Sequence, residues 1–349
     1  MTRPAATPML GRRTLLSIGV AGAGAVLARP VLGTPATLNE QLSGYLEGLH
    51  DPVMIREGGT YHVFGSGGWT GKPGPSWRIS TDLHNWRDNG SPFEVPGWAA
   101  KAIAGGTAIW APDIHFVDGV FRLYYSVSTP GSMRSVTGFA TSRTLDRASP
   151  HYGWTDHGLV IESFADGNYN VIDSNFVIDF KGNHWLAFGS YWSGIKLIAL
   201  DKRTGKPKPG APIHSLAYRP PAAPGADNPV EGAFLYPHRG WYYLFVSYDY
   251  CCRKEKSNYY VAVGRSRSIT GPYLSRDGKP MMEGQGTDVI AERPWGSTNW
   301  RGPGHCGLYR DGDRDLIVYH AYDVAHAARP TLRLAELTWD AQGWPAAQI

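Results

Sequence analysis

Residues 50–66 read HDPVMIREGGTYHVFGS: a polar start, a short apolar run, a Gly-Gly turn and a second, more aromatic run. Four further segments have the same design, at residues 110–128, 172–192, 230–249 and 302–323. Their turns are rich in Gly, Asp or Asn, and most second runs close on a small or polar residue such as Ser. Apolar runs joined by such turns predict β-hairpins. Five copies in one chain form an internal repeat, and this repeat decides the fold.

The polar residues that open the five copies follow one another at intervals of about sixty residues, with a longer last interval: Asp51, Asp113, Asp173, Glu231 and His305. Between them lie outer segments that pass from a Ser-rich strand end through a turn into another short strand, so each unit is predicted to contain four strands. Four-stranded units around an axis are the blades of a β-propeller. We therefore predict an all-β, five-bladed β-propeller. A parallel β-helix would repeat at about twenty-odd residues, and a β-sandwich needs no such register.

Few helices are expected. The chain has 43 Gly, 26 Pro and 12% aromatic residues, a composition poor in helix formers. No helical periodicity is visible after residue 50, and the segment TLNEQLSGYLE, residues 37–47, is the one helix predicted outside the N-terminal apolar run. The net charge of +4 is too small to indicate nucleic acid, and no Gly-rich phosphate loop precedes a helix. Aromatic residues without a basic patch favour a neutral ligand such as a sugar.

Residues 1–36 are predicted to be an export signal. A basic segment precedes an apolar stretch from Leu15 to Leu27, which is too short to span a bilayer, and small residues precede cleavage after Ala28 or Ala36. Arg12-Arg13 predicts the twin-arginine route, with an ordinary Sec signal as the alternative. Residues 37–349 are then a single propeller domain, secreted or periplasmic and without a membrane anchor. No unpaired apolar repeat is visible, so we expect a monomer.

The three cysteines are too few for a disulfide scaffold and lack zinc-ligand spacing. We expect small buried residues; a vicinal disulfide between Cys251 and Cys252, or a pairing with Cys306, stays open.

The polar starts are candidate functional residues. Innermost strands line the channel of a propeller, so the five groups are expected to converge at one mouth, where desolvating like charges together is unfavourable unless it serves a purpose. Asp51, Asp173 and Glu231 supply the pair of carboxyl groups, with a third to tune them, that acid–base cleavage of a sugar linkage requires. Singly, each acid is as well explained by a turn. His305 could hold a hydrated cation, or merely cap a turn.

At this point the chain resembles glycoside hydrolase family 43, in its arabinanase branch. The resemblance rests on ordered motifs between His50 and Asp323: HDP, WAPD, VIDSN, FGSYWSG, EGAFL, SYDYCC, VGRSRSITGPY and GPGH. It implies a five-bladed propeller and an inverting hydrolase of internal α-1,5-L-arabinofuranosyl linkages in arabinan.

The resemblance also implies roles for individual residues. Asp51 would be the general base, Glu231 the general acid, and Asp173 the residue that raises the pKa of the acid and orients it. His305 would help to coordinate a central calcium ion through water, although Cys306 follows where the family often has Asn or Ser. Positions that resemble substrate-contacting residues are Trp110, Asn170, Ser190 and Trp192, the alternative for each Trp being blade packing.

Three rival functions remain at this stage. An exo-acting α-L-arabinofuranosidase or a β-xylosidase would need one end of the cleft closed, by loops such as residues 101–110 or 219–229. A retaining fructan-processing propeller would carry RDP and Glu-Cys motifs, where this chain has IDSN and VEGA. A non-catalytic sugar-binding propeller would not need three carboxyl groups, and turnover distinguishes it.

Overall fold

The computed structural model describes residues 36–292, 296 and 298–349, and Ala36–Ile349 form one compact unit. The strands assemble into five sheets, each built around four antiparallel strands, and the first sheet has one additional short strand at its edge. The first strands of successive sheets contact one another in chain order, and the fifth contacts the first. The sheets therefore form a closed ring, and the prediction of a five-bladed β-propeller is confirmed.

Every blade is built from one continuous stretch of chain. A short strand, β1 (Ser43–Gly44), precedes the first blade. Blade 1 contains β2 (Val53–Glu57), β3 (Thr60–Gly65), β4 (Ser76–Ser80) and β5 (Asn85–Asp88). Blade 2 contains β6 (Trp110–Val117), β7 (Val120–Ser128), β8 (Ser135–Ser142) and β9 (Thr155–Ser163). Blade 3 contains β10 (Asn175–Ile178), β11 (His184–Phe188), β12 (Ile195–Leu200) and β13 (Ile213–Ala217). Blade 4 contains β14 (Val230–His238), β15 (Trp241–Tyr248), β16 (Tyr260–Ser266) and β17 (Thr287–Ile290). Blade 5 contains β18 (Trp300–Asp311), β19 (Arg314–Asp323), β20 (Arg329–Trp339) and β21 (Pro345–Gln348).

Aromatic and β-branched side chains of the two central strands make the core. In β7 and β15 almost every residue is buried, because each of these strands is covered on both faces by the neighbouring blades. Phe64 and Trp77 of blade 1 stack with their ring centroids 5.1 Å apart and belong to the largest apolar cluster. The core thus lies between blades, which leaves the start of each inner strand free to face the channel.

The start of each inner strand has a repeated backbone kink. Asp51, Asp173 and His305 adopt left-handed conformations with φ of 51°, 57° and 46°, a region in which Asp is enriched. Ala111 (φ 37°) occupies the corresponding place in blade 2, and Gly232 (φ 61°), the neighbour of Glu231, occupies it in blade 4. Three of the kinked residues, Asp51, Asp173 and His305, line the same cavity.

Polar side chains at the ends of the second strands secure three of these kinks across the blade boundary. The N–H of Ala111 donates to Oγ of Ser66 (2.8 Å), and the N–H of His305 donates to Oγ of Ser247 (2.8 Å). The N–H of Asp51 donates to Nδ1 of His320 (3.2 Å). Ser66 and Ser247, two of the serines that close the repeats in the sequence, therefore fasten one blade to the next.

The segment before blade 1 spans the boundary between the first and last blades. We call residues 37–49 the N-terminal clasp. Its β1 pairs in parallel with β5, and Glu47 bridges to Thr331 of blade 5. Asn39 donates to the hydroxyl of Tyr319 (2.9 Å) and accepts from the N–H of Leu334 (2.9 Å). These bonds close the ring without sharing a strand between the two blades.

Helices are short. The prediction of a helix over residues 37–47 is wrong beyond the first turn, since α1 covers only Leu38–Gln41. The rest of the clasp is extended because β1 pairs with β5. A second helix that the sequence pattern did not predict, α2, covers Gly97–Ala102. Within the described part of the chain, no helix is long and apolar enough to cross a membrane. The predicted export signal lies outside the described residues, apart from Ala36.

Candidate functional site

A single cavity of about 1010 Å³ opens where the inner strands begin. It is lined by eight of the nine candidate residues that the sequence singled out, Asp113 being the exception: Asp51, Asp173, Glu231, Trp110, Asn170, Ser190, Trp192 and His305. They come from all five blades or the loops that lead into them. Such convergence of distant chain segments on one volume is the arrangement expected of a binding or catalytic site.

The carboxylate of Asp51 is held by three close neighbours. Its Oδ1 lies 2.7 Å from Nδ1 of His50 and 3.0 Å from Nδ1 of His305, and its Oδ2 accepts from Oγ of Ser66 at 2.5 Å. Burial alone would raise the pKa of Asp51, but the charges of His50 and His305 and their hydrogen bonds outweigh it and hold the pKa well below its usual range. Asp51 is therefore a fixed carboxylate.

The pKa of Glu231 is shifted in the opposite direction from that of Asp51. Its Oε2 accepts from Oγ of Ser190 at 2.7 Å and its Oε1 accepts from the hydroxyl of Tyr259 at 3.1 Å. Burial raises the pKa of Glu231, and the charge of Asp51 adds to the effect, against the lowering influence of the Ser190 hydrogen bond. Glu231 thus holds a proton more readily than an ordinary glutamate does.

Asp173 is buried and contacts the chain beside Glu231. Its Oδ2 accepts from the N–H of Gly232 at 3.1 Å. Burial raises the pKa of Asp173 to about 8; His305 opposes this rise, while the charges of Glu231 and Asp51 increase it. The three carboxyl groups repel one another when they are charged. Asp51, which has histidine partners, is therefore the one of the three that is ionised.

His305 faces the carboxylates. Burial would lower the pKa of His305, but its ion pair and hydrogen bond with Asp51 raise that pKa to about 9. Gly232 allows this approach, since a Cβ atom at position 232 would lie only 3.1 Å from the His305 ring. A His that only capped a turn would not make these contacts with Asp51.

The fifth expected ring member, Asp113, is not in the cavity. It lies inside β6, two residues after the kink at Ala111, and is buried at the boundary with blade 3. There its Oδ2 accepts from the N–H of Phe176 (2.6 Å) and contacts Nε2 of His115 (2.9 Å). The prediction for Asp113 is wrong because the kink, rather than the nearest acid, sets the register of blade 2.

The predicted sugar-contacting residues divide into two kinds. Trp110 and Trp192 are half-buried walls of the cavity, which leaves ring surface available to a ligand. Ser190 is committed to Glu231, and Asn170 is buried with its Oδ1 accepting from Ser135. Trp69 was not predicted: it is 44% exposed at the cavity rim, and its ring stacks on His50 at 4.7 Å.

Several residues that shape the site were missed by the sequence reasoning. His50, His320 and Tyr322 form a stacked and hydrogen-bonded group behind Asp51, with His50 and His320 ring centroids 3.8 Å apart. The signal available for His50 was its place in the HDP motif. Cys251 and Cys252 form a vicinal disulfide that lines the cavity, whereas Cys306 is free and buried. The expectation of small buried cysteines thus holds only for Cys306.

The described residues offer few donors for a metal ion. Ligand atoms of His50, Asp51 and His320 lie within 4.8 Å of one another, and Nε2 of His320 is buried without a hydrogen-bond partner. Calcium prefers six to eight oxygen ligands. The side chains around His305 therefore fit a calcium ion only if water molecules supply its remaining ligands.

An ionised carboxylate and a proton-bearing carboxyl group in one cavity form the acid–base pair used to hydrolyse glycosidic bonds. The fold and this site define the class of the protein, a glycoside hydrolase. More narrowly, the chain belongs to glycosyl hydrolases family 43, whose family model matches residues 46–345. The resemblance drawn from the motifs is confirmed.

Similar proteins cover most of the chain. It is 42% identical over 300 residues to the extracellular endo-alpha-(1->5)-L-arabinanase 1 of Bacillus subtilis (strain 168), covering 85% of this chain and 87% of that protein. It is 38% identical over 305 residues to the extracellular exo-alpha-(1->5)-L-arabinofuranosidase ArbA of Cellvibrio japonicus (strain Ueda107), covering 85% of each. The structure of Cellvibrio cellulosa alpha-L-arabinanase complexed with arabinohexaose matches with a TM-score of 0.79 and 37% identity, over 86% of this chain and 95% of that one.

Proposed function

We propose that the protein is an inverting endo-hydrolase of the α-1,5-L-arabinofuranosyl linkages of arabinan. The observation that carries the proposal is the pairing of Asp51, fixed as a carboxylate, with Glu231, whose pKa burial raises, in one cavity. The names of the relatives supply the linkage: both curated relatives act on α-1,5-L-arabinan.

In this mechanism Asp51 is the general base and takes a proton from the attacking water. His50, Ser66 and the His305 imidazolium fix the direction of its lone pairs. Glu231 is the general acid and protonates the oxygen of the leaving sugar. Inversion requires a water between base and sugar, so we expect the two carboxyl groups to lie more than about 6.5 Å apart.

Asp173 serves the acid. Its hydrogen bond to the N–H of Gly232 fixes the backbone next to Glu231, which orients the acid. Any charge on Asp173 would further disfavour ionisation of Glu231, since like charges in one buried site repel. Both effects keep Glu231 protonated and pointed at the bond that breaks.

Trp110 and Trp192 are proposed to stack on furanose faces, because indoles supply broad apolar surface at sugar sites. Asn170 is proposed to bond a sugar hydroxyl with its amide, since its Oδ1 already accepts from Ser135. Ser190, by contrast, acts on the substrate through Glu231.

A hydrated calcium ion beside His305 is a further part of the proposal. His305 would help to hold it through water, with Asp51 nearby. The ion would supply positive charge that favours the ionised form of Asp51.

Exo action is the second candidate, because one relative is an exo-acting enzyme and two loops reach the cavity. Gly105, Thr107 and Ala108 of one loop line it, as do Ala226, Asp227 and Asn228 of the other. We place the enzyme outside the cytoplasm, in agreement with the extracellular relatives.

Product analysis on linear α-1,5-arabinan tests the function. Endo action gives mixed short oligosaccharides early in the reaction, and proton NMR detects inversion as the opposite anomer at the new reducing end. Arabinose alone from the start would establish exo action. No turnover on any furanoside or xyloside would overturn the hydrolase and favour a sugar-binding propeller.

A further inference from the structure

The loop between β15 and β16 places a vicinal disulfide, Cys251–Cys252, in the wall of the catalytic cavity. None of the proposed catalytic roles uses it. Yet its two sulfur atoms contact different halves of the acid–base machinery.

The first sulfur contacts the acid. Sγ of Cys251 lies 3.6 Å from Oε1 of Glu231, the oxygen that also accepts from Tyr259. A disulfide sulfur carries no proton and is only a weak acceptor. It therefore fills space beside Oε1 and excludes water without stabilising the charged carboxylate.

The second sulfur contacts the group that holds the base. Sγ of Cys252 lies 3.6 Å from Nε2 of His50, and the N–H of Cys252 donates to the hydroxyl of Tyr322 (2.9 Å). That hydroxyl is 2.7 Å from Nε2 of His50, whose Nδ1 lies 2.7 Å from Oδ1 of Asp51. A short chain of contacts thus joins Cys252 to the base.

We propose that the Cys251–Cys252 disulfide is a positioning element that fixes the acid and the base relative to each other. The disulfide closes a small ring in the backbone, so the two sulfur atoms cannot move independently. Glu231 is on blade 4 and Asp51 begins blade 1. The disulfide contacts Glu231 directly and reaches Asp51 through His50, from one rigid point. The inference rests on the proposed roles of Asp51 and Glu231.

Reduction tests the proposal on the intact enzyme. A water-soluble phosphine and one water convert the disulfide into two thiols, and the phosphine leaves as its oxide, oxidised by two electrons. Displacing catalytic groups by about 1 Å can reduce turnover by about 100-fold. We expect kcat on arabinan to fall by about 10- to 100-fold, KM to change little, and reoxidation to restore kcat.

Two variants serve as controls. Cys251→Ser/Cys252→Ser should have the lowered kcat and should not respond to the phosphine. Cys306→Ala removes the remaining, buried thiol and should respond as the wild type does. Mass spectrometry after thiol alkylation confirms that the two cavity cysteines have been reduced, and circular dichroism confirms that the chain remains folded.

Unchanged kcat in the fully reduced, folded enzyme would overturn the proposal. A raised KM with unchanged kcat would also overturn it, because the disulfide would then be only a wall for the sugar. If the oxidised wild type does not cleave arabinan, the proposed function fails instead. The imidazole ¹⁵N resonances of His50, assigned with His50→Gln, then decide: they shift on reduction if Cys252 positions His50, and stay in place otherwise.

Discussion

Ser190 offers a direct test of how the acid is tuned. Its hydroxyl donates to Oε2 of Glu231 at 2.7 Å and lowers the pKa of that carboxyl group. Ser190→Ala removes a bond that favours the ionised form. As the proposed acid, Glu231 must be protonated to act, so the alkaline limb of the pH–rate profile is expected to report its pKa. Deletion of the bond should therefore move the alkaline limb to higher pH.

The size of the shift follows from hydrogen-bond strengths. A bond to a charged group is worth about 1.5–3 kcal/mol, and one between neutral groups about 0.5–1.5 kcal/mol. The difference, about 1–1.5 kcal/mol, corresponds to about one pKa unit at about 1.36 kcal/mol per unit. Because Glu231 is half-buried in the cavity wall, solvent screening reduces this value only in part.

The assay is kcat/KM against pH on a soluble arabino-oligosaccharide. Ser126→Ala is the matched control, because Ser126 closes the second strand of blade 2 and its buried Oγ has no hydrogen-bond partner among the described residues. Its alkaline limb should not move. An unchanged limb in Ser190→Ala, or one moved to lower pH, would refute the assignment of Ser190 to the acid.

Three further predictions address the other parts of the site. Glu231→Gln should reduce kcat on arabinan by about 10²–10⁴-fold but much less on a nitrophenyl arabinofuranoside, whose leaving group needs no proton; equal losses would contradict its role as the acid. Asp113→Ala should lower the free energy of unfolding, measured in urea, by about 1–3 kcal/mol because it leaves buried donors unpaired. The kcat of the folded variant should stay near the wild-type value. A loss of kcat like that of Glu231→Gln would show that Asp113 belongs to the catalytic site. Removal of calcium by a chelator should lower Tm, since calcium at about 100 times its Kd stabilises by about 2.7 kcal/mol, and adding calcium back should restore it; an unchanged Tm and rate would remove calcium from the proposal.

The repeat made the architecture predictable, since strand periodicity and turn residues recur five times and each copy builds one blade. The placement of Asp51, Asp173, Glu231 and His305 followed from their common position in the repeat. Asp113 did not follow: it is the acid nearest to the repeated position, but it sits a little late in its copy relative to Asp51. In blade 2 the backbone kink that corresponds to those of the other blades is at Ala111. Ala111 has no polar side chain, so the sequence pattern gave no signal for it.

Other parts of the site depend on contacts between blades that periodicity does not encode. The stack of Trp69, His50 and His320 joins residues from opposite ends of the chain. The function of Ser190 depends on the residue to which its hydroxyl donates. The pattern of serines predicts the place of Ser190 in the repeat but not this hydrogen-bond partner. Local signals likewise favoured a longer helix in the clasp, but pairing with β5 and blade 5 outweighed that propensity.

The clasp and the contacts beneath Asp51 bear on how the molecule becomes active after synthesis. Asn39 and Tyr319 are separated by 280 positions in the chain, and Asp51 and His320 by 269. Contacts between such distant segments form slowly, because a long loop must be closed before they are made. Asp51, the proposed base, and two of its imidazole neighbours, His305 and His320, thus meet across the last junction of the ring. Recovery of catalysis during refolding should therefore lag behind recovery of β-sheet signal, and the enzyme's own turnover would report when the ring has closed.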